Sequence, residues 1–267
     1  MSGAAAIPQR FLSNAWKPLL VPGVLILIWT AWSLLTVQSD ARMLVSPATF
    51  LSALAGDTAS GFLPAAILAT LLRALAGFVI GAGFGFVIGL AIGLSRIGSL
   101  ALSPTIDSLR QIALFAWIPL LSAWLGNGEA MKITLIALGA LFPVALATAA
   151  GCTGVGSPFL EVGRALELDR RTTIRKIILP AAAPAIVAGL ELSLNISWLG
   201  TIGAEYLIGT GYINGMGDGL GAYLAQAREF ARMDRVLIGV LALALVGLTL
   251  DRTVAWLSRR IFPWQAR

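Results

Sequence analysis

No histidine occurs in the 267 residues, and cysteine occurs once, at Cys152. With no imidazole and no second thiol, the chain has no internal disulfide, no Cys/His metal site and no histidine acid–base chemistry. No metal ligand or catalytic residue is assigned. Charge is scarce as well: Asp, Glu, Lys and Arg make up 12% of the chain, about half of the ~25% usual in a soluble domain. No G-x-x-x-x-G-K-[ST] loop is present, so ATP hydrolysis by this chain alone is not expected. In place of these features stand 58% hydrophobic residues, 29 glycines and a mean hydropathy of +0.87. That is the composition of an all-α integral membrane protein. The net charge of +6 sits beside apolar runs rather than in one patch, which fits topology control and argues against nucleic acid as a partner.

The first uncharged run, residues 19–37, spans 19 residues, enough for a hydrocarbon core of about 30 Å. Ser39 and Ala41 would serve as a cleavage site, but a secretory core is only about 7–15 residues long, so an uncleaved first span is expected. An external loop, 38–63, holds one short helix near 47–54. The second span, 64–94, carries Gly77, Gly81, Gly85, Gly89 and Gly93 at every fourth position. Such a groove admits a neighbouring backbone, either within one subunit or between subunits. Arg73 is placed near the outer end, where it can snorkel to the interface. After a short inner loop, 95–103, a third span, 104–125, pairs Asp107 with Arg110 and is expected to bend at Pro119. Spans at 133–150, 184–208 and 236–256 complete six, with an external segment, 209–235, that includes a helix at 222–230. The side richer in Lys and Arg includes Arg10, Lys17, Arg96 and the arginines at 259, 260 and 267. That side is cytoplasmic by the positive-inside rule, which puts both termini inside the cell.

One polar run interrupts this pattern. Residues 161–180, EVGRALELDRRTTIRKIILP, carry five bases between two long apolar segments and so leave the membrane on the cytoplasmic side. A short helix at 158–168 and a second at 170–178 are expected, with Asp169 capping the second by accepting from N–H groups near Thr172. The run resembles the signature of the inner-membrane permease subunits of bacterial ABC importers: EAA, three residues, Gly, nine residues, then I-x-L-P. Glu161 opens it, and Ile177, Leu179 and Pro180 close it at that spacing. DSLRQIALFAWIPLLSAWLGNGEAMKI and SWLGTIGAEYL are similar to the nitrate, sulfonate, taurine and bicarbonate branch, as is the Asp251–Arg252 pair before a basic tail. The likeness covers roughly residues 60–262. Val162 and Gly163 stand where the family has alanines, Glu167 where it has glycine, and Glu191 where a base is common. Because Glu167 cannot adopt a left-handed conformation cheaply, the turn is expected to move to Leu168–Asp169.

The resemblance implies the type I ABC importer transmembrane fold, with six helices in a bacterial inner membrane. It divides the chain into a tail, first span and loop (1–63), a core (64–258) with the coupling loop at about 153–184, and a basic tail (259–267). It implies as partners two ABC ATPase subunits, a second copy of the permease, an external solute-binding protein and lipid. No cofactor is expected in this chain; ATP and Mg belong to the ATPase. The ATPase-coupling residues would be Glu161, Val162, Gly163, Arg164, Ala165, Leu166, Glu167, Leu168 and Asp169. Leu166 and Leu168 would be the apolar knobs, with Glu161 and Arg164 as flanking contacts. Arg170, Arg171, Arg175 and Lys176 are assigned to anionic headgroups, at about 1 kcal/mol each.

Ser193, Ser197, Thr201 and Glu205 recur every four residues in the fifth span, with Asn195 nearby. They line a polar path, or they bond to carbonyls and glue helices; the pattern allows both. Arg110, Trp117, Glu191 and Trp198 complete the candidate path. Glu191 must face protein or water, and Arg110 is its expected partner; Glu205 is expected nearer the outer edge, with an easier route to water. The cargo expected from the branch is a small anion, an aliphatic sulfonate or taurine before nitrate or bicarbonate. The alternative function is an ATP-independent secondary transporter or channel, which Glu191, Pro119 and Pro143 would suit.

Overall fold

The structure, a computed structural model, describes residues 17–35, 45–208 and 218–261. The polar lead with Arg10, the Ser39–Ala41 motif, Arg42, the glycine-rich stretch 209–217 and Arg267 of the basic tail lie outside the described residues. The described residues are helical, with no strand among them. α1 (Lys17–Leu35) covers most of the expected first span, and α2 (Pro47–Ala59) is longer than expected. Ser46 starts α2 by accepting from the Thr49 N–H at 3.2 Å, with Pro47 in the first turn, where its missing N–H costs nothing.

α3 (Phe62–Leu94), α6 (Glu129–Thr153) and α9 (Leu179–Ile208) form the core. The α3 glycines face α6. A methyl on Gly81 would overlap the Ala137 carbonyl, and one on Gly85 the Leu141 carbonyl. The groove is therefore filled within the subunit, and backbone approaches backbone at a distance no Cβ allows. Gly189 does the same for α9: a Cβ there would overlap the Ala147 side chain and come within 3.2 Å of the Pro143 carbonyl oxygen.

The expected third span is not one helix. Residues 95–103, expected as a loop, open α4 (Arg96–Leu109), whose Ser95 cap accepts from the Gly98 N–H. A break at 110–113 is followed by a 3-10 turn (Leu114–Trp117) and α5 (Ile118–Leu125). The two halves bend by 94°. Pro119 does not cause the bend: it sits in the first turn of α5, a position that tolerates proline. Four described helices are long and apolar enough to cross a membrane, or five if the bent pair is one broken span.

After α6, a short α7 (Ser157–Ala165) is followed by α8 (Arg170–Thr173), a π turn (Ile174–Ile178) and then α9. The expected second short helix is thus no separate element. It runs on into the fifth span as one helix, Arg170–Ile208. The wide turn closes with the Leu179 N–H on the Ile174 carbonyl, immediately before Pro180, whose ring would clash with the carbonyl four residues back in a regular helix. α10 (Leu220–Glu229) and α11 (Met233–Ile261) follow, and Leu220, Tyr223 and Ile238 pack with Trp198 and Leu63 in one buried cluster.

Candidate functional site

α7 and the turn after it carry the residues expected to couple to an ATPase. The helix ends in a Schellman arrangement: the Leu168 N–H donates to the Gly163 carbonyl at 3.0 Å and the Glu167 N–H to Arg164 at 2.9 Å. That geometry puts the left-handed residue at Glu167, whose φ is +50°. The expected shift of the turn to Leu168–Asp169 does not occur, because two carbonyl bonds outweigh the steric cost of about 1–2 kcal/mol. Glu167→Gly should therefore keep coupled transport and raise loop stability by about 1 kcal/mol, as read from amide exchange of Glu167 and Leu168. Loss of transport at normal expression would contradict this turn geometry.

Asp169 caps α8 as expected, its carboxylate accepting from the N–H groups of Arg171 at 3.1 Å and Thr172 at 3.3 Å. Hydrogen bonds from Thr172, side chain first and then backbone, hold its carboxyl below the usual range. A lowered value means that the cap is fully present above the ordinary Asp range, about pH 4, and is lost as pH falls through the folded value. Asp169→Asn should retain protection of the Arg171 and Thr172 amides while removing its acid dependence; Asp169→Ala should lose the protection at every pH.

Of the two residues expected as apolar knobs, Leu166 is exposed and Leu168 is partly buried. Phe159 and Val162 of α7 and Leu166, the residue that caps its end, are 62%, 56% and 65% exposed and lie three and four residues apart, on one side of the loop. Leu168 is only half-buried surface, held through its own backbone bonds to Gly163 and Thr173. Gly163 is buried with Ile177 against it; a Cβ would come within 2.9 Å of Ile177 Cδ1. This small residue thus lets α7 lie close on the second helix. Glu161, Arg164 and Ala165 are exposed. Arg170 reaches back to the Leu94 carbonyl at 3.1 Å, tying the long helix to the last turn of α3.

The polar stripe of α9 turns inward. Ser193, Ser197, Thr201 and Glu205 are all fully buried, so they do not line an open path within this chain. Ser193 donates to the Ala140 carbonyl of α6 at 2.9 Å, and Thr201 bonds back to Ser197 at 2.7 Å. Trp198 is buried too, and Gly247 of α11 approaches its ring. Asn195 remains exposed, between Leu192 and Leu199 on the outward face.

Glu205 has no route to water, and Arg73, 3% exposed, does not snorkel. They meet instead: Arg73 Nη1 donates to Glu205 Oε1 at 2.7 Å, while its Nε and Nη2 grip both oxygens of Glu129 at 2.6 and 2.8 Å. Glu205 also accepts from Thr70 at 2.8 Å and from the Gly221 N–H at 3.0 Å. Thr70 in turn takes the Leu220 N–H at 2.7 Å, and Arg73 reaches the Asp218 carbonyl at 3.2 Å. α3, α6, α9 and the start of α10 are thereby joined at the end of the bundle opposite the 153–184 loop. The only sequence signal for this cluster was the cost of charges inside apolar runs, which demands partners without naming them. A second knot fixes the other side of α10, where Asp57 of α2 accepts from Tyr223 and from Arg235, both at 2.7 Å.

Asp107 and Arg110 pair as expected, at 3.0 Å. Arg110 does not pair with Glu191, which is half-buried and has no ion-pair partner among the described residues. Arg110 and Trp117 instead line a cavity of about 420 Å³ at the α4–α5 break, against the middle of α6 and of α9.

The model for "Binding-protein-dependent transport system inner membrane component" matches residues 81–263. A protein named as an aliphatic sulfonates transport permease, SsuC of Bacillus subtilis, is 39% identical, covering 97% of this chain and 91% of its own. The taurine transport system permease TauC of Escherichia coli is 31% identical, covering 90% and 86%. The nitrate import permease NrtB of Synechocystis is 33% identical, covering 74% and 69%. A solved amino acid ABC transporter chain shares the fold at 19% identity, with a TM-score of 0.65 over 79% of this chain and 98% of that one. The chain belongs to the inner-membrane components of binding-protein-dependent transport systems, as an ABC importer permease of the sulfonate, taurine, nitrate and bicarbonate branch.

Proposed function

We propose that this permease works as a homodimer with two separate ATPase subunits, which bind and hydrolyse Mg-ATP, and an external solute-binding protein that delivers a small anion. α1 serves as the first of six spans, and both termini and the 153–184 loop face the cytoplasm. An aliphatic sulfonate or taurine is the favoured cargo, ahead of nitrate or bicarbonate. The observation that carries this reading is the exposed apolar face Phe159–Val162–Leu166 on a short helix beside the continuous 170–208 helix. Docked on an ATPase, α7 would pass its movement to the fifth span through packing of Gly163 on Ile177. The path runs along the α4–α5 break with Arg110, Trp117 and Asn195, while the inward stripe Ser193–Glu205 holds the helices beside it.

The test is uptake of labelled sulfonate into sealed vesicles containing the permease, with the ATPase subunits and binding protein supplied or withheld. Uptake that requires both and ATP supports the reading. Uptake persisting without ATP would replace it with a secondary transporter or channel.

A further inference from the structure

The cavity at the α4–α5 break joins two kinds of chemistry in one lining. Arg110 and Gln111 supply a guanidinium and a carboxamide, while Trp117, Phe142, Leu192 and Ile196 supply apolar surface. Its volume, about 420 Å³, falls in the range of roughly 300–1,000 Å³ common for small-molecule sites. Its lining includes residues from the central turns of α6 and α9. Arg110 is 44% exposed. A guanidinium exposed beside the central turns of two long apolar helices must border water or protein rather than hydrocarbon.

We propose that this cavity is a transit site for an anion bearing an alkyl chain, with the charged head on Arg110 and the chain on the apolar wall. The proposal rests on the importer reading and specifies the cargo at one place in the path. A bare oxyanion such as nitrate would leave the apolar wall without an occupant; an alkanesulfonate fills both parts. Among the described residues Asp107 takes the Nε of Arg110 at 3.0 Å, which leaves the terminal nitrogens of the fork to an anion. Asp107 also cancels part of the charge. The site is therefore weak, as passage requires: a solute must enter and still be able to leave. Gly139 sits in the lining with no side chain, where a Cβ would come within 3.2 Å of Ile196 and Leu114. A larger residue at that position would push into the space the chain occupies.

The experiment uses the permease with its ATPase subunits in nanodiscs, without the solute-binding protein, so that the selectivity measured belongs to the membrane part. Leu192→Cys, and separately Ile196→Cys, is labelled with a maleimide in the presence of n-alkanesulfonates from one to six carbons. The native Cys152 is buried and serves as the unprotected background. The half-protecting concentration should fall about fourfold per methylene, the factor for burying one CH₂. Arg110→Gln should weaken protection at every length by a similar factor, and Asp107→Asn should strengthen it. Equal protection by methanesulfonate and hexanesulfonate, equal protection by alkylammonium ions, or no protection at all would overturn the proposal. Those outcomes are read without ATP, so they can fail while ATP-driven uptake in vesicles still upholds the importer.

Discussion

Arg73→Met is expected to lower the stability of the folded permease by about 3–5 kcal/mol, the usual result of stripping one partner from a buried ion pair. Glu205 is fully buried and Arg73 is its only cationic partner among the described residues. Glu129 would keep Lys132, 3.5 Å away, so the damage should centre on Glu205 and what it holds. That includes the Gly221 N–H and, through Thr70, the Leu220 N–H, the first turn of α10. The loss should therefore appear in two measurements: a lower midpoint of thermal unfolding in nanodiscs, and faster amide exchange at Leu220 and Gly221 ahead of the core of α6. Adding Glu205→Gln should recover part of the stability, because a neutral carboxamide oxygen still accepts from Thr70 and Gly221. An unchanged midpoint in Arg73→Met, or a double variant no better than the single, would refute the assignment of this cluster as a clasp on the fold.

The second large effect separates docking from folding. Leu166→Asp should weaken association with the ATPase subunits about 30-fold, the loss of one interface hot spot of about 2 kcal/mol, and abolish ATP-dependent uptake. Its thermal midpoint should stay unchanged, since most of the side chain, 65%, is exposed. Val162→Asp and Phe159→Asp should behave in the same way, because they share that face. Leu168→Asp supplies the contrast. Its partial burial beside the turn predicts a loss of loop stability, seen as amide exchange across 163–173, before any effect on docking. If Leu166→Asp pulls down the ATPase as well as the unsubstituted chain does, the exposed face of α7 is not the docking surface.

The polar loop at 161–180 is the most legible stretch because its information is local. Glu161 and the closing Ile177, Leu179 and Pro180 match the family signature at its spacing, and an Asp before a helix start predicts the Asp169 cap. Where the reading went astray, the cause was also local but competitive. Glu167 is a poor residue for φ of +50°, yet the two carbonyls left over at the end of α7 needed N–H partners, and satisfying them decided the conformation. The Pro119 bend failed for a similar reason: whether a proline kinks a helix depends on where the helix begins, and here it begins one residue earlier, at Ile118.

The class of the protein, four of its long helices, the polar loop between two of them and the family to which it belongs all follow from run length, composition or short spacing. Which way the polar residues face, and which charges meet, follows instead from packing between helices. A surface helix announces its buried side by its polar side, but a span is apolar all round, so Ser193, Ser197, Thr201 and Glu205 read equally well as an open path or a closed seam. The packing of α9 on α6, through Gly189 and the bond from Ser193 to Ala140, turned that stripe inward. Arg73 and Glu205 are 132 residues apart, and no local pattern pairs them. What joins them is helix packing: the α3 glycines seat α6, Gly189 seats α9 on α6, and at one end of the three helices one guanidinium reaches two carboxylates.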